Sequence, residues 1–174
     1  AQADGDDIMF TDANGTQLSH EIEKYESATG KLWAWVNMPA LSASNDTILY
    51  LLYGNASAVN QQNKTSVWDA SYEGVWHFNE LAGAGTVADS TSNINNGIVY
   101  NGLTQGVTSK IFTAADFDGV NDSVDVAGMS APVNKTFSLW VKADTYPGNY
   151  NTLIEFDGDS PWFGILSSGR VELY

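Results

Sequence analysis

The chain has 174 residues, of which 43% are hydrophobic and 16% are charged, and it contains no cysteine. This composition is sufficient for a folded core and excludes disulfide bonds, cysteine-ligated zinc and thiol catalysis. The net charge of -14 disfavours nucleic acid and anionic lipid heads as partners, because an anionic surface repels phosphates. Since no apolar run reaches about 18 residues, we expect no direct membrane insertion by this segment.

Short apolar and β-branched runs separated by Gly, Asn and Asp predict strands from the start of the chain. The first strand is predicted over 6–11 and the second over 18–25, with Gly15 suited to a positive φ in the turn between them. The segments 31–38 and 47–53 are apolar at successive positions, which predicts strands that are covered on both sides.

The remainder of the chain continues this pattern after a change in composition. Residues 56–72 are polar and alanine-rich, which predicts a linker or a short helix. Further short strands are predicted over 75–78, 98–100, 115–117, 123–126, 137–142, 152–156, 162–166 and 170–174. No amphipathic helix of three turns is visible, so the pattern indicates an all-β protein, an antiparallel β-sandwich.

Four motifs in the first third of the chain resemble one family. They are DGDDIMFTDANGT at 4–16, HEIE at 20–23, WVNMP at 35–39 and LLYGN at 51–55. In this order they resemble the DUF2341 family, a β-rich module of bacterial and archaeal exported proteins. The resemblance covers about residues 1–70.

A second series of motifs resembles the laminin-G-like, concanavalin-A-like jelly roll. It comprises GVWHF at 74–78, DSTSNINNG at 89–97, ADFDG at 115–119, DSVDV at 122–126 and FSLWV at 137–141. The two resemblances imply a β-rich module over 1–70 and a jelly roll over 71–174. Both family patterns are partial, so we expect the chain to start inside one domain and to stop inside another.

The turn at 89–97 gathers hard oxygen ligands of the kind that calcium prefers. The laminin-G-like resemblance implies a structural calcium ion at this turn, with Asp89, Asn93 and Asn96 as candidate ligands. The alternative is an Asx-turn, in which the side chains satisfy their own backbone. The Asp-rich stretch 117–125 predicts a hairpin turn with Gly119 at a positive φ.

Exposed aromatic side chains are the candidates for ligand binding. In the predicted strand 137–142, Trp140 is expected to face away from the apolar stripe, and three further aromatics lie in or beside loops. Such rings stack on sugars, although packing under loops or against a neighbouring domain is the alternative. The four candidates are Trp140, Tyr146, Tyr150 and Trp162. The tryptophans predicted to lie in the core are Trp33, Trp35, Trp68 and Trp76.

No catalytic residue is predicted. Glu155 and Asp157 would share one strand face about 6–7 Å apart, which resembles half of a glucanase pattern. No second glutamate follows, so a solvated strand end is expected instead. His20 and His77 have no motif partner, and we expect both to be structural.

Three classes of function remain open. The leading hypothesis is a non-catalytic recognition module of a larger exported protein, periplasmic, cell-surface or secreted and bacterial, whose partner is a glycan or a protein surface. The second is a structural or sensing ectodomain that contacts the rest of its polypeptide or another chain. By resemblance, this pair of modules can precede membrane segments of proton-channel-like proteins. The third is a glycan-active enzyme.

Overall fold

A computed structural model describes residues 1–129, 134, 136–145, 148, 150–156 and 162–173, without the side chains of Tyr150 and Trp162. The chain forms two compact units, Ala1–Ala127 and Gly128–Tyr174. The boundary between these units differs from the predicted boundary between modules 1–70 and 71–174. The assignment of those two modules stays a prediction.

Short strands make up the regular structure of both units. In the first unit they are β1 (Met9–Asp12), β2 (Gln17–Leu18), β3 (His20–Glu26), β4 (Lys31–Val36), β5 (Leu49–Leu52), β6 (Thr86–Val87), β7 (Gly97–Tyr100), β8 (Thr104–Thr108), β9 (Thr113–Asp116) and β10 (Ser123–Asp125). In the second unit they are β11 (Tyr150–Glu155), β12 (Trp162–Leu166) and β13 (Val171–Leu173). A short 3-10 helix covers Lys64–Ser66, inside the segment predicted as a linker or a short helix.

All the described strand pairs are antiparallel, which confirms the predicted all-β class. The sheet orders are β2-β1-β5, β10-β7-β6 and β11-β12-β13, with hairpins β3-β4 and β8-β9. The concanavalin-A-like jelly-roll order stays a prediction. Within the described ranges, no helix is long and apolar enough to cross a membrane.

The main apolar core lies between the β2-β1-β5 sheet and the β3-β4 hairpin. Ile8, Phe10 and Leu18 are buried at its centre. Side chains from both strands of the hairpin, and the methionine two residues after β4, pack against them. These residues are Ile22, Tyr25, Leu32, Ala34, Val36 and Met38. The alternation of β3 and β4 therefore leaves one face of the hairpin free for polar residues.

A β-bulge in β3 determines which side chains lie on that second face. Ile22 pairs with Ala34, but the next pair is Lys24 with Trp33, so Glu23 is an extra residue in β3. A bulge of this kind re-aims side chains, and here it lets two successive residues, Glu23 and Lys24, point away from the apolar core while Tyr25 returns to it.

The turn chemistry agrees with the sequence pattern. Gly15 has a φ of 83° and Gly119 a φ of 74°, as predicted for these two turns. Asp118 accepts a hydrogen bond from the Val120 amide at 2.8 Å, which is the local side-chain contact of an Asx-turn.

Several expectations about strands are wrong. The segment 75–78 is not a strand and forms only an isolated bridge from Trp76 to Asp89. Strand β5 is expected to be covered on both sides, yet every residue from Leu49 to Leu52 is exposed; β5 is also an edge strand that pairs only with β1. The segment 137–142 is not a strand. The sequence pattern misses β6, which has only two residues, and β8, because Thr104-Gln-Gly-Val-Thr108 lacks the apolar run on which strand prediction depends.

Replacement of Phe10 by alanine is expected to lower the free energy of unfolding by about 3–5 kcal/mol, because it leaves a cavity at the centre of the core. Urea unfolding monitored by circular dichroism measures the change. The control is Leu41→Ala, since Leu41 is 75% exposed and its truncation should change stability by less than about 0.5 kcal/mol. Equal effects of the two substitutions would contradict this core.

Candidate functional site

A buried carboxylate lies on the polar face of β3. Glu21 is only 7% exposed. Its Oε1 accepts a hydrogen bond from Ser90 Oγ at 2.6 Å, and its Oε2 accepts one from Trp68 Nε1 at 2.9 Å. Nε2 of His77 lies 3.2 Å from the same Oε2. Three segments that are distant in sequence therefore meet at this side chain.

The second ring nitrogen of His77 faces a second carboxylate. Nδ1 lies 3.7 Å from Oε2 of Glu23, and that oxygen accepts a hydrogen bond of 2.6 Å from Nε1 of Trp35. Only 8% of the His77 side chain is exposed. His77 thus bridges two glutamates, and each glutamate holds one tryptophan.

The environment favours the charged forms of both Glu21 and His77. Burial acts to raise the pKa of Glu21, but hydrogen bonds from His77, Ser90 and Trp68 outweigh burial and lower it. Burial acts to lower the pKa of His77, but the hydrogen bond and the charge of Glu21, with the charges of Glu23 and Glu80, raise it. The cluster therefore favours an imidazolium between carboxylates.

Above this cluster lies an aromatic face formed by Trp35, Trp68 and Tyr72. The ring centroids of Trp35 and Trp68 are 5.3 Å apart, and those of Trp68 and Tyr72 are 5.1 Å apart. Trp35 is 41% exposed and Tyr72 is 45% exposed. The prediction that Trp35 belongs to the core is therefore wrong: it lies on the opposite face of β4 from Leu32, Ala34 and Val36.

The predicted metal ligand Asp89 is 4% exposed and lies at the centre of its turn. Its Oδ1 accepts from the amides of Val75 and Thr91, each at 2.9 Å. Its Oδ2 accepts from Thr91 Oγ1 at 2.7 Å and from the Asn95 amide at 2.9 Å. These contacts match the Asx-turn alternative, since a calcium ion would have to displace hydrogen-bond donors from this carboxylate.

The other two predicted ligands also make hydrogen bonds. Nδ2 of Asn93 donates to the carbonyls of Tyr72 and Glu73, at 3.0 and 3.2 Å. Oδ1 of Asn96 accepts from the Asp89 amide at 2.9 Å. In the part of the chain that the structure describes, no group of three or more His, Asp or Glu side chains is arranged to hold a metal ion. The calcium site stays a prediction.

The four aromatic candidates of the C-terminal part do not form one described surface. Trp140 is 78% exposed, as a binding residue would be, and Tyr146 lies outside the described residues. Tyr150 pairs with Leu166 and Trp162 pairs with Glu155, at opposite ends of the β11-β12 ladder. Their backbones are thus about 16 Å apart at 3.3 Å per residue, and their side chains lie outside the described residues.

The remaining candidates have no described catalytic partner. Glu155 ends β11, whereas Asp157 lies outside the described residues. His20 is fully buried with its ring edge-on to Phe10, at a centroid distance of 5.2 Å. Burial lowers the pKa of His20. The backbone of Leu18 and Ile8 acts in the opposite direction, although neither ring nitrogen makes a well-formed hydrogen bond within the described residues.

The sequence alone did not identify the cluster around Glu21. The sequence pattern near Glu21 gives only a weak signal, which consists of two glutamates at alternate positions of β3 and of Trp35 on β4. The partners Trp68, His77 and Ser90 lie 47, 56 and 69 residues away. No spacing rule connects residues at such separations.

Comparison with known families gives one match. The model described as "Domain of unknown function (DUF2341)" matches residues 4–94, past the predicted limit near residue 70, and this range contains the whole Glu21 cluster and the aromatic face. No family match supports the laminin-G-like resemblance of the later residues, which stays a prediction. No curated protein and no solved structure matches the chain.

We expect the free energy of unfolding to be greatest near pH 6.5, the ordinary histidine pKa. Below this pH, His20 reduces stability because its folded pKa is lowered and the unfolded state binds more protons. Above this pH, the contribution of His77 is lost as the pH rises through its raised folded pKa.

Urea unfolding at a series of pH values measures both limbs of this dependence. In His77→Gln the decline above the maximum should disappear, while the decline below it should remain. A wild-type stability that continues to rise well above neutral pH would contradict the assignment.

Asp89→Ala is expected to lower the free energy of unfolding by roughly 2–4 kcal/mol, because several buried donors lose their acceptor. Asp118→Ala is the matched control, since this exposed turn residue should change stability by less than about 1 kcal/mol. Thermal melts with and without EDTA distinguish the two interpretations of the turn. A melting temperature that EDTA lowers in the wild type but not in Asp89→Ala would favour calcium over the Asx-turn alone.

Proposed function

We propose that this chain, which belongs to the DUF2341 family, is a non-catalytic recognition module that binds glycans on the aromatic face of Trp35, Trp68 and Tyr72. The observation that carries the proposal is the state of Trp35. The residue is 41% exposed, yet its Nε1 is fixed by Glu23 and its ring packs on Trp68. An exposed aromatic side chain held in one position is suited to a ligand.

Rigidity of the face favours binding of weak ligands. Ordering of side chains at a binding surface costs about 0.5–1.5 kcal/mol for each immobilised residue. Trp35 and Trp68 are already ordered by hydrogen bonds of 2.6 and 2.9 Å to Glu23 and Glu21. A sugar ring that stacks on them would therefore not have to supply this ordering energy.

The polar surroundings of the face suit hydroxyl groups. Within the described residues Oε1 of Glu23 has no hydrogen-bond donor, and 10% of this side chain is exposed, which would leave an acceptor at the edge of the face for a sugar hydroxyl. Asp69 directly follows Trp68, and Glu73 directly follows Tyr72. A neutral sugar fits this acidic setting better than a uronic or sulfated one, because like charges repel.

The chemistry of the cluster supports binding without turnover. Nucleophilic catalysis needs a hydroxyl beside a base with a free lone pair. The Ser90 hydroxyl donates to Glu21, but hydrogen bonds from His77, Ser90 and Trp68 lower the pKa of this carboxyl and make it a weak base. Ser90 is also only 3% exposed, so a substrate would not reach its hydroxyl.

The proposal extends to parts of the protein whose role is inferred only from family resemblance. We place the module in a larger exported protein, as the family resemblance implies. Trp140 would add a second sugar contact in the C-terminal unit, and a calcium ion at the turn around Asp89 would be structural. Several copies or linked modules would then provide avidity.

One observation favours a second candidate, the structural or sensing ectodomain. The edge strand β5 exposes apolar side chains along its whole length, with Leu49 43%, Tyr50 50% and Leu51 44% exposed. Native proteins rarely leave such an edge uncovered. An ectodomain packed against another part of its assembly would cover it.

Glycan-array screening followed by calorimetry tests the leading proposal. We expect micromolar to millimolar dissociation constants, about -4 to -8 kcal/mol, for neutral sugars. Trp35→Ala should weaken binding by roughly tenfold or more, equivalent to about 1.4 kcal/mol, because the stacking surface is lost. Tyr53→Ala is the matched control, as it removes an aromatic ring that is 68% exposed but lies outside the face.

The same experiment separates the alternatives. Binding lost in Trp140→Ala but retained in Trp35→Ala would move the site to the C-terminal unit. Hydrolysis of a bound glycan, abolished by Glu155→Gln, would indicate the enzyme. Absence of any glycan ligand would favour the structural ectodomain.

A further inference from the structure

The aromatic face is connected to a single titratable side chain beneath it. Oε2 of Glu21 is shared by Trp68 Nε1 and His77 Nε2, at 2.9 and 3.2 Å. Oε2 of Glu23 is likewise shared by Trp35 Nε1 and His77 Nδ1, at 2.6 and 3.7 Å. The contacts form an unbroken chain from one tryptophan to the other through His77.

The charges around His77 come from two segments. Strand β3 supplies Glu21 and Glu23, and Glu80, three residues after His77, contributes a further negative charge. The rings of Trp35 and Trp68 lie against the imidazole, with centroids 6.3 and 6.1 Å away. Without a cation among them, the two carboxylates of β3 would repel each other on the same strand face.

We propose that protonated His77 is the positioning residue of the aromatic face and that it makes ligand binding dependent on pH. The inference rests on the proposed recognition function and adds its regulation. His77 touches no ligand in this scheme. It acts by fixing Glu21 and Glu23, which in turn fix the indole rings.

Loss of the His77 proton affects the contact with Glu21 and the contact with Glu23 differently. Neutral imidazole keeps one N–H, and the shorter contact, Nε2 to Glu21 at 3.2 Å, is the one that retains it. Nδ1 then presents a lone pair to the carboxylate of Glu23. Repulsion moves Glu23 and releases Trp35, the exposed ring of the face, while Trp68 stays in place.

The direction of the effect follows from the surroundings. Burial lowers the pKa of His77, but the hydrogen bond and charge of Glu21 and the charges of Glu23 and Glu80 raise it above the ordinary 6.5. The aromatic face is therefore ordered below the folded pKa of His77. It loosens as the pH rises through the folded pKa of His77.

Two observations that need no ligand test the positioning role. The first is the NMR titration of the His77 ring protons, which separates from that of His20 because the two pKa values are shifted in opposite directions. The second is tryptophan emission over the same pH range. We expect emission to shift to the red with the midpoint of the His77 titration, and the shift to be absent in His77→Gln.

A matched pair of variants on β3 tests whether His77 bridges Glu21 and Glu23. Glu23→Gln removes the charge at Nδ1 and should lower the midpoint of both signals. Glu26→Gln removes a charge from the same strand, where Glu26 pairs with Lys24 at 2.7 Å, and should leave the midpoint unchanged. An emission shift that survives in His77→Gln, or a midpoint that Glu23→Gln does not move, would overturn the proposal.

Binding of a sugar found on the array provides the functional readout. Affinity should fall by roughly fivefold or more between about pH 5.5 and about pH 9, and the change should vanish in His77→Gln. Sugar binding that is independent of pH would refute the positioning role and leave recognition intact. Coupled NMR and emission midpoints without any sugar ligand would instead support the bridge and refute glycan recognition.

Discussion

The buried carboxylate of Glu21 is the interaction on which the N-terminal unit depends. Its two oxygens join strand β3 to Trp68, His77 and Ser90. An ionised carboxylate removed from water is stable only where each oxygen is paired, so the loss of one donor leaves an uncompensated charge. The three donors therefore act as a unit, and all of them lie within the range matched by the family.

These bonds also relate the N-terminal sheets to the segment that follows them. The bonds from Glu21 to His77 and Ser90 cross residue 70, and the compact unit continues to Ala127. Families are assigned from motifs along the chain, whereas a buried charge belongs to whichever segments supply its partners. The polar cluster thus determines more of the organisation of this unit than the motif boundaries do.

The sequence predicted features that depend on neighbouring residues and missed contacts between residues that are distant in the chain. The turns at Gly15 and Gly119 were predictable because a positive φ is a property of the residue itself. The exposure of Trp35 and of β5 was not, since it depends on which strands pair and on what covers their faces. The Asx-turn at Asp89 was foreseen as one of two alternatives, because its donors Thr91 and Asn95 are close in sequence.

The single extra residue in β3 has a consequence for how this domain tolerates change. Strand side chains alternate with a period of two, and the pairs on both sides of Glu23 are already in register, so a chain without Glu23 would form a regular ladder. Ile22 and Tyr25 would stay in the core, but Trp35 would lose the carboxylate that holds its indole. Insertions and deletions are usually absorbed in loops, whereas this deletion inside a strand would keep the fold and remove a contact of the aromatic face. The length of β3 is therefore set by that face and not by the core.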